Sequence, residues 1–116
     1  MRQDLAIVHR VVALVAPGVA PFELGIVVEV FGLDRPELDV PWWYEFAVAA
    51  ERPGPLPATA GGFAVHVEHG LEALADADTI IVPGWHGEPS EAVVRAVRES
   101  RARLVSICSG VFLLAA

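Results

Sequence analysis

The stretch Leu104-Val105-Ser106-Ile107-Cys108-Ser109-Gly110-Val111-Phe112 decides the fold, because it joins an apolar strand to a helix through a turn of small residues. Ser106 and Gly110 flank Cys108 two positions away on each side, which lets a strand and a helix approach closely around a tight turn. A strand–turn–helix sequence of this kind is typical of an α/β protein with a parallel sheet. We therefore expect a strand over 104–107 and a helix over 111–116.

Two further apolar runs lie earlier in the chain, and each is followed directly by Pro-Gly. One spans 11–16 and precedes Pro17, and the other spans 79–82 and precedes Pro83. Continuous apolar runs are typical of strands that are covered on both faces. Because ligands bind at the carboxyl ends of the strands in an open parallel sheet, chemistry is expected in the loops that follow them. These loops comprise residues 17–22, 83–89 and 108–110.

The remaining elements complete an alternating α/β pattern with no internal repeat. Pro21 suits the first position of a helix that we expect to reach Gly32, and Ser90 suits the N-cap of a helix that we expect to reach about Ala102. Alternating apolar residues predict peripheral strands over 44–50 and 63–67, separated by a turn-rich connection, and a short helix is expected over 71–75. The predicted fold is a mostly parallel sheet with helices on both faces.

Length and composition bound the classes of protein to consider. The chain has 116 residues, of which 54% are hydrophobic and 20% charged, so it forms one domain and is not disordered. The net charge of −7 argues against a nucleic-acid-binding surface. A single Cys excludes an intrachain disulfide. The N-terminal apolar stretch is interrupted by Asp4, His9 and Arg10, unlike a signal peptide, and no membrane span is expected, which favours the cytoplasm.

Cys108 is the first candidate for chemistry. A thiol between a strand and a helix occupies the position of the nucleophile in a nucleophile elbow, and the helix N-terminus stabilises its thiolate. The alternative is an inert cysteine buried in the apolar core.

Glu23 is the second candidate, because it lies on the same predicted helical stripe as Val27 and Val30 and should point inward. A protonated Glu23 would hydrogen-bond the thiolate of Cys108. The alternative is a carboxylate that complements the helix dipole from the first turn.

His86 is the third candidate, since among the four His residues it alone lies in one of the three loops and so is the base available to Cys108. The alternative is a solvated loop histidine. The backbone amides of Gly84, Trp85 and Ser109 would form an oxyanion site.

His66 and His69 lack a third ligand, so we expect no metal. The aromatic residues 42–44 either seal an edge of the core or form a dimer contact.

Several of these residues together resemble the ThiJ/PfpI family of the class I glutamine-amidotransferase-like superfamily. The matching segments are 11–18, Phe22-Glu23-Leu24, Val82-Pro83-Gly84 and 106–110. The amino-acid sequences of segments 29–33, Pro83-Gly84-Trp85 and 107–112 are most similar to the N-terminal sensor domain of AraC-type transcriptional regulators. The resemblance covers 9–116 and implies a flavodoxin-like fold, with Cys108 at the elbow and Glu23 as its neighbour.

The resemblance also carries expectations about function. It implies an incomplete sensor domain, spanning 1–116, whose Cys108–Glu23 pocket binds a small molecule or senses redox state without catalysis or a cofactor. The domain is expected to form a homodimer and to meet DNA only through a C-terminal domain outside this chain. The alternative is a cysteine hydrolase or glyoxalase-like enzyme with Cys108 as nucleophile, which in such enzymes needs a His after the elbow helix. Trp85 stands where those enzymes often have a second Gly. A third interpretation is a fragment with no activity of its own.

Overall fold

A computed structural model describes residues 8–40 and 42–116. The beginning of the N-terminal stretch considered as a signal peptide, residues 1–7, lies outside the described residues. The strands are β1 (Arg10–Val15), β2 (Glu45–Ala50), β3 (Gly54–Pro57), β4 (Ala64–Val67), β5 (Thr79–Val82) and β6 (Arg103–Ser106). The α-helices are α1 (Pro21–Val27), α2 (Glu91–Glu99) and α3 (Val111–Leu114). Single turns of other helix types span Val28–Gly32 (π) and Pro36–Leu38, Leu71–Leu74 and Cys108–Gly110 (3-10).

A four-stranded parallel sheet in the order β2-β1-β5-β6 forms the centre of the fold. The chain moves from β1 outward to β2 on one side and from β5 outward to β6 on the other. The strand order therefore changes direction between β1 and β5, and such a switch point opens a crevice at the carboxyl ends of the strands. The predicted parallel α/β sheet is confirmed.

Helices cover both faces of this sheet, so β1 contributes alternate residues to two separate cores. Val12 and Leu14 pack with Val93 and Val97 of α2 on one face. Val11, Ala13 and Val15 pack with Leu24 and Val27 of α1 on the other face. The sequence prediction of helices on both faces is thus confirmed.

The segment predicted as a turn-rich connection contains a strand, which corrects the sequence interpretation. β3 pairs antiparallel with β4, with Leu56 opposite Val65. Proline is tolerated in β3 because a two-stranded ladder leaves one edge of each strand unpaired. The hairpin is tied to the loop after β1, since the Gly18 and Val19 N–H groups both donate to the Pro57 carbonyl oxygen at 2.8 and 3.1 Å.

Helix α2 ends three residues earlier than predicted. Ser90 caps its start as expected, because the hydroxyl oxygen accepts the Val93 N–H at 3.1 Å. At the other end, the backbone of Ser100 is extended and its hydroxyl oxygen accepts the Ala102 N–H at 3.0 Å. A serine side chain that binds nearby backbone competes with the helix, so the helix stops at Glu99.

Tyr44 organises the aromatic segment before β2. Its ring makes edge-to-face contacts with His9, Phe31, Trp42 and Trp43, at centroid distances of 5.0 to 6.4 Å. The Tyr44 side chain packs against the core under α1. This cluster therefore seals one edge of that core.

Among the described residues, no helix is long and apolar enough to cross a membrane.

Candidate functional site

The three loops singled out by the sequence converge at the carboxyl edge of the sheet. Gly84 is at their meeting point, because a methyl group built on it would lie 3.4 Å from the Ala20 side chain and 3.5 Å from the Ser109 hydroxyl oxygen. The start of α1 and the turn after β6 therefore both lie next to this glycine. Larger side chains at residue 84 would push these two segments apart.

Cys108 lies in the turn between β6 and α3 with a backbone φ of +53°. Residues other than glycine rarely adopt this left-handed conformation, which costs free energy and is concentrated at functional sites. The Cys108 side chain is exposed, so the interpretation as an inert buried cysteine is wrong.

Gly110 explains how the turn at Cys108 stays close to β5. Its φ of −57° is open to any residue, but a Cβ atom would collide with the carbonyl oxygen of Val82. The same carbonyl oxygen accepts the Ile107 N–H at 3.0 Å. The requirement for glycine two positions after Cys108 is therefore steric, as predicted from the spacing.

Ser109 and Trp85 are joined directly across the site. The Trp85 backbone N–H donates to the Ser109 hydroxyl oxygen at 3.1 Å. Since a backbone amide has one hydrogen, this bond occupies a donor that the sequence analysis assigned to an oxyanion site. The amides of Gly84 and Ser109 remain as predicted donors.

Glu23 lies in the first turn of α1 and is half-buried. Of the predicted inward stripe, Val27 is 1% exposed, whereas Val30, in the π turn that follows α1, is 47% exposed and so is not buried as predicted. Both side chains line the same groove, together with Val11. Among the described residues no hydrogen bond joins Glu23 to Cys108, so their interaction stays a prediction.

His86 is exposed and lies beside the loop after β1, within reach of Gly18. It lines a cleft of about 410 Å³ together with Pro17, Glu51 and Arg52. Neither Cys108 nor Glu23 lines this cleft. The role of His86 as a base for Cys108 therefore stays a prediction, and the structure places this histidine with a different group of side chains.

Sequence reasoning missed that group because it counted only three loops. The carboxyl end of β2 lies at the same edge of the sheet and carries Glu51 and Arg52 directly after Ala50. Two adjacent charged residues after an apolar strand were the available signal.

Within residues 8–40 and 42–116, no cluster of three or more His, Cys, Asp or Glu side chains is arranged to hold a metal.

The fold is similar to that of several solved structures, all at low sequence identity. A proposed transcriptional regulator from Vibrio parahaemolyticus has a TM-score of 0.75 at 21% identity, covering 93% of this chain and 60% of that one. A ThiJ/PfpI family protein from Pseudomonas syringae has a TM-score of 0.74 at 20% identity, covering 96% of this chain and 48% of that one. An AraC family transcriptional regulator from Pseudomonas putida has a TM-score of 0.65 at 17% identity, covering 91% of this chain and 59% of that one.

These likenesses confirm the resemblance at the level of the fold, which is the flavodoxin-like fold of ThiJ/PfpI proteins. The chain spans 48 to 60% of the length of the three structures. No protein-family model matches the sequence, and no curated protein matches it.

Proposed function

Proceeding from this shared fold, we propose that the chain is the N-terminal part of the ligand-sensing domain of an AraC-type transcriptional regulator and that it is not catalytic. The observation that carries the proposal is the likeness of nearly the whole chain to solved structures described as regulators. The amino-acid sequences of segments 83–85 and 107–112 resemble those of such sensor domains and support the proposal independently.

The arrangement around Cys108 also supports a binding role rather than a catalytic one. A cysteine hydrolase needs backbone amides that are free to hold an oxyanion. The Trp85 amide already donates to the Ser109 hydroxyl, so one of the three predicted donors is occupied. This contact favours a site that holds a ligand without transforming it.

The proposed partners follow from the same likeness. The domain binds a small molecule in the cytoplasm, pairs as a homodimer, and acts on DNA through a separate C-terminal domain. Sedimentation equilibrium of the full-length gene product is expected to give the mass of two copies, and a monomer at every concentration would contradict the pairing.

The decisive experiment is to sequence the gene beyond the codon for Ala116 and to test its full-length product on DNA from its own promoter. We expect a helix-turn-helix region and a shifted band in a mobility-shift assay. A histidine shortly after α3, with no DNA-binding region and no shifted band, would overturn the proposal.

The geometry of Cys108 favours one alternative function. An exposed thiol in a strained left-handed turn is the arrangement of a nucleophile elbow, as in ThiJ/PfpI-type hydrolases or glyoxalase-like enzymes. The test is to measure lactate formation from methylglyoxal and hydrolysis of p-nitrophenyl acetate by the full-length product. This alternative requires activity that Cys108→Ala abolishes; no activity, or activity unchanged by the substitution, excludes it.

A further inference from the structure

A second candidate site lies where β1 and β2 end, away from Cys108. The cleft of about 410 Å³ is within the size range of small-molecule sites. Its walls come from the ends of β1 and β2, from Leu56 of the hairpin, from the loop after β5 and from the first turn of α2. It opens beside the switch point of the sheet, which is where open α/β folds bind ligands.

The floor of this cleft is apolar and belongs to the packed cores. Val15, Leu56 and Val93 are each no more than 4% exposed, and each belongs to one of the two cores. Trp85 also lines the cleft, and it packs into the core on the α2 side of the sheet.

Charged groups of both signs line the same cleft. The Glu51 carboxylate is positioned by Ser90, whose hydroxyl donates to it at 2.9 Å while accepting the Val93 N–H. Arg52 and Glu88 also line the cleft, and neither has an ion-pair partner among the described residues. A ligand with one charge alone would meet repulsion from part of this set, whereas a ligand with both charges satisfies all of it.

We propose that this cleft binds an apolar α-amino acid or a zwitterion of similar size. The ligand carboxylate pairs with Arg52, its ammonium group pairs with Glu51 and Glu88, and its apolar side chain lies on the floor. The inference rests on the proposed sensing function in one respect, since it gives the sensor domain a second ligand site besides the one around Cys108 and names the chemical class of its ligand. Trp85 links this site to the turn at Cys108 through its bond to Ser109.

Isothermal titration calorimetry on the full-length gene product tests the proposal with L-phenylalanine, L-leucine and L-methionine as probes. Two analogues of L-phenylalanine separate the charges: 3-phenylpropanoate lacks the ammonium group, and 2-phenylethylamine lacks the carboxylate. We expect saturable binding of at least one amino acid, with L-phenylalanine favoured over both analogues by about tenfold, the worth of one charge-assisted hydrogen bond.

Substitutions assign the two charges to the two ends of the ligand. Arg52→Gln is expected to weaken amino-acid binding by about tenfold and to leave 2-phenylethylamine unaffected. Glu88→Gln is also expected to weaken amino-acid binding, and to weaken binding of 2-phenylethylamine while leaving 3-phenylpropanoate unaffected. Arg101→Gln and Glu68→Gln are the matched controls, because both residues are exposed and neither lines the cleft. Circular dichroism confirms that each variant is folded.

The proposal is overturned if none of the three amino acids binds to the folded chain, or if Arg52→Gln and Arg101→Gln have equal effects. Neither outcome bears on regulation, because that function is measured separately by DNA binding of the full-length product. A regulator that binds DNA but shows no amino-acid binding here would sense a different molecule, whereas binding here without DNA binding would overturn the proposed function alone.

Discussion

At the scale of the residue, the backbone of Cys108 has a cost that can be measured. Its φ of +53° is unfavourable for any residue with a Cβ atom and neutral for glycine. The thiol and the backbone strain at residue 108 can therefore be removed by different substitutions.

We expect Cys108→Gly to be more stable than Cys108→Ala by about 1 kcal/mol, because both remove the sulfur and only glycine relieves the left-handed backbone. Urea denaturation of the two variants measures the difference in the free energy of unfolding. Equal stabilities would mean that the turn relaxes without strain when residue 108 has a methyl side chain.

Two glycines provide a second comparison. Gly110→Ala is expected to cost about 2 to 3 kcal/mol of stability, since the new Cβ atom would collide with the Val82 carbonyl oxygen and force α3 away from β5. Gly25→Ala is the control: its Cβ atom would have no neighbour within 4 Å, and alanine favours the helix by up to about 1 kcal/mol. Thermal unfolding of both variants measures the contrast, and a Gly110→Ala protein as stable as the parent would contradict the packing described.

At the scale of the element, the 3-10 turn over Leu71–Leu74 is closed at its start by a charged side chain. The Glu72 carboxylate accepts the Gly70 N–H at 3.0 Å. Backbone hydrogen bonds from Glu72 itself and from Gly70 lower the pKa of the Glu72 carboxyl below its usual 4.5, and nearby His69 adds to this effect. A carboxyl whose pKa is lower in the folded state stabilises the fold when it is ionised.

The sign of the pH dependence follows from that direction. The contribution of Glu72 is fully present above the unfolded pKa of 4.5 and is lost as the pH falls through the lower, folded pKa. Glu72→Gln keeps an acceptor oxygen and removes the charge, so the parent should be the more stable protein at about pH 7 and lose this advantage progressively as the pH falls below 4.5. Urea midpoints of the two proteins across this range measure the gap, and a gap that does not change with pH would contradict the assignment.

At the scale of the whole molecule, β1 joins the two cores. Alternate side chains of this strand enter opposite faces of the sheet, so damage to one face weakens the strand on which the other face depends. We therefore expect a single unfolding transition rather than separate loss of the two layers.

Leu14→Ala tests this coupling, because Leu14 is fully buried in the core under α2. The substitution should cost about 2 to 5 kcal/mol. In a Trp85→Phe background, fluorescence reports only Trp42 and Trp43 of the aromatic cluster, which contacts the other core, and their transition should shift by the same amount as circular dichroism. Phe22→Ala, at a side chain that is 75% exposed, should cost less than about 0.5 kcal/mol. Two separate transitions would show that the layers unfold independently.

Local sequence signals predicted the strands of the parallel sheet and the tight turn around Cys108. Each depends on a few neighbouring residues: the apolar run at Thr79–Val82, the cap at Ser90, and the small residues on either side of Cys108. Such features are set by backbone preferences and side-chain size, which a short stretch of chain contains by itself. The predicted strand limits shifted by one residue at β1, β2 and β6, since pairing with the neighbouring strands sets where a strand begins and ends.

Tertiary structure alone decided the features that join distant parts of the chain. The strand over Gly54–Pro57 exists because it pairs with β4, although its prolines indicate a turn. The Ser109 hydroxyl occupies the Trp85 amide, and Ser90 positions Glu51, across separations of 24 and 39 residues. The sequence by itself therefore determined the fold class and the loops that meet at the carboxyl edge of the sheet, while long-range packing decided which side chains share a site, because a contact energy depends on distances that no local pattern contains.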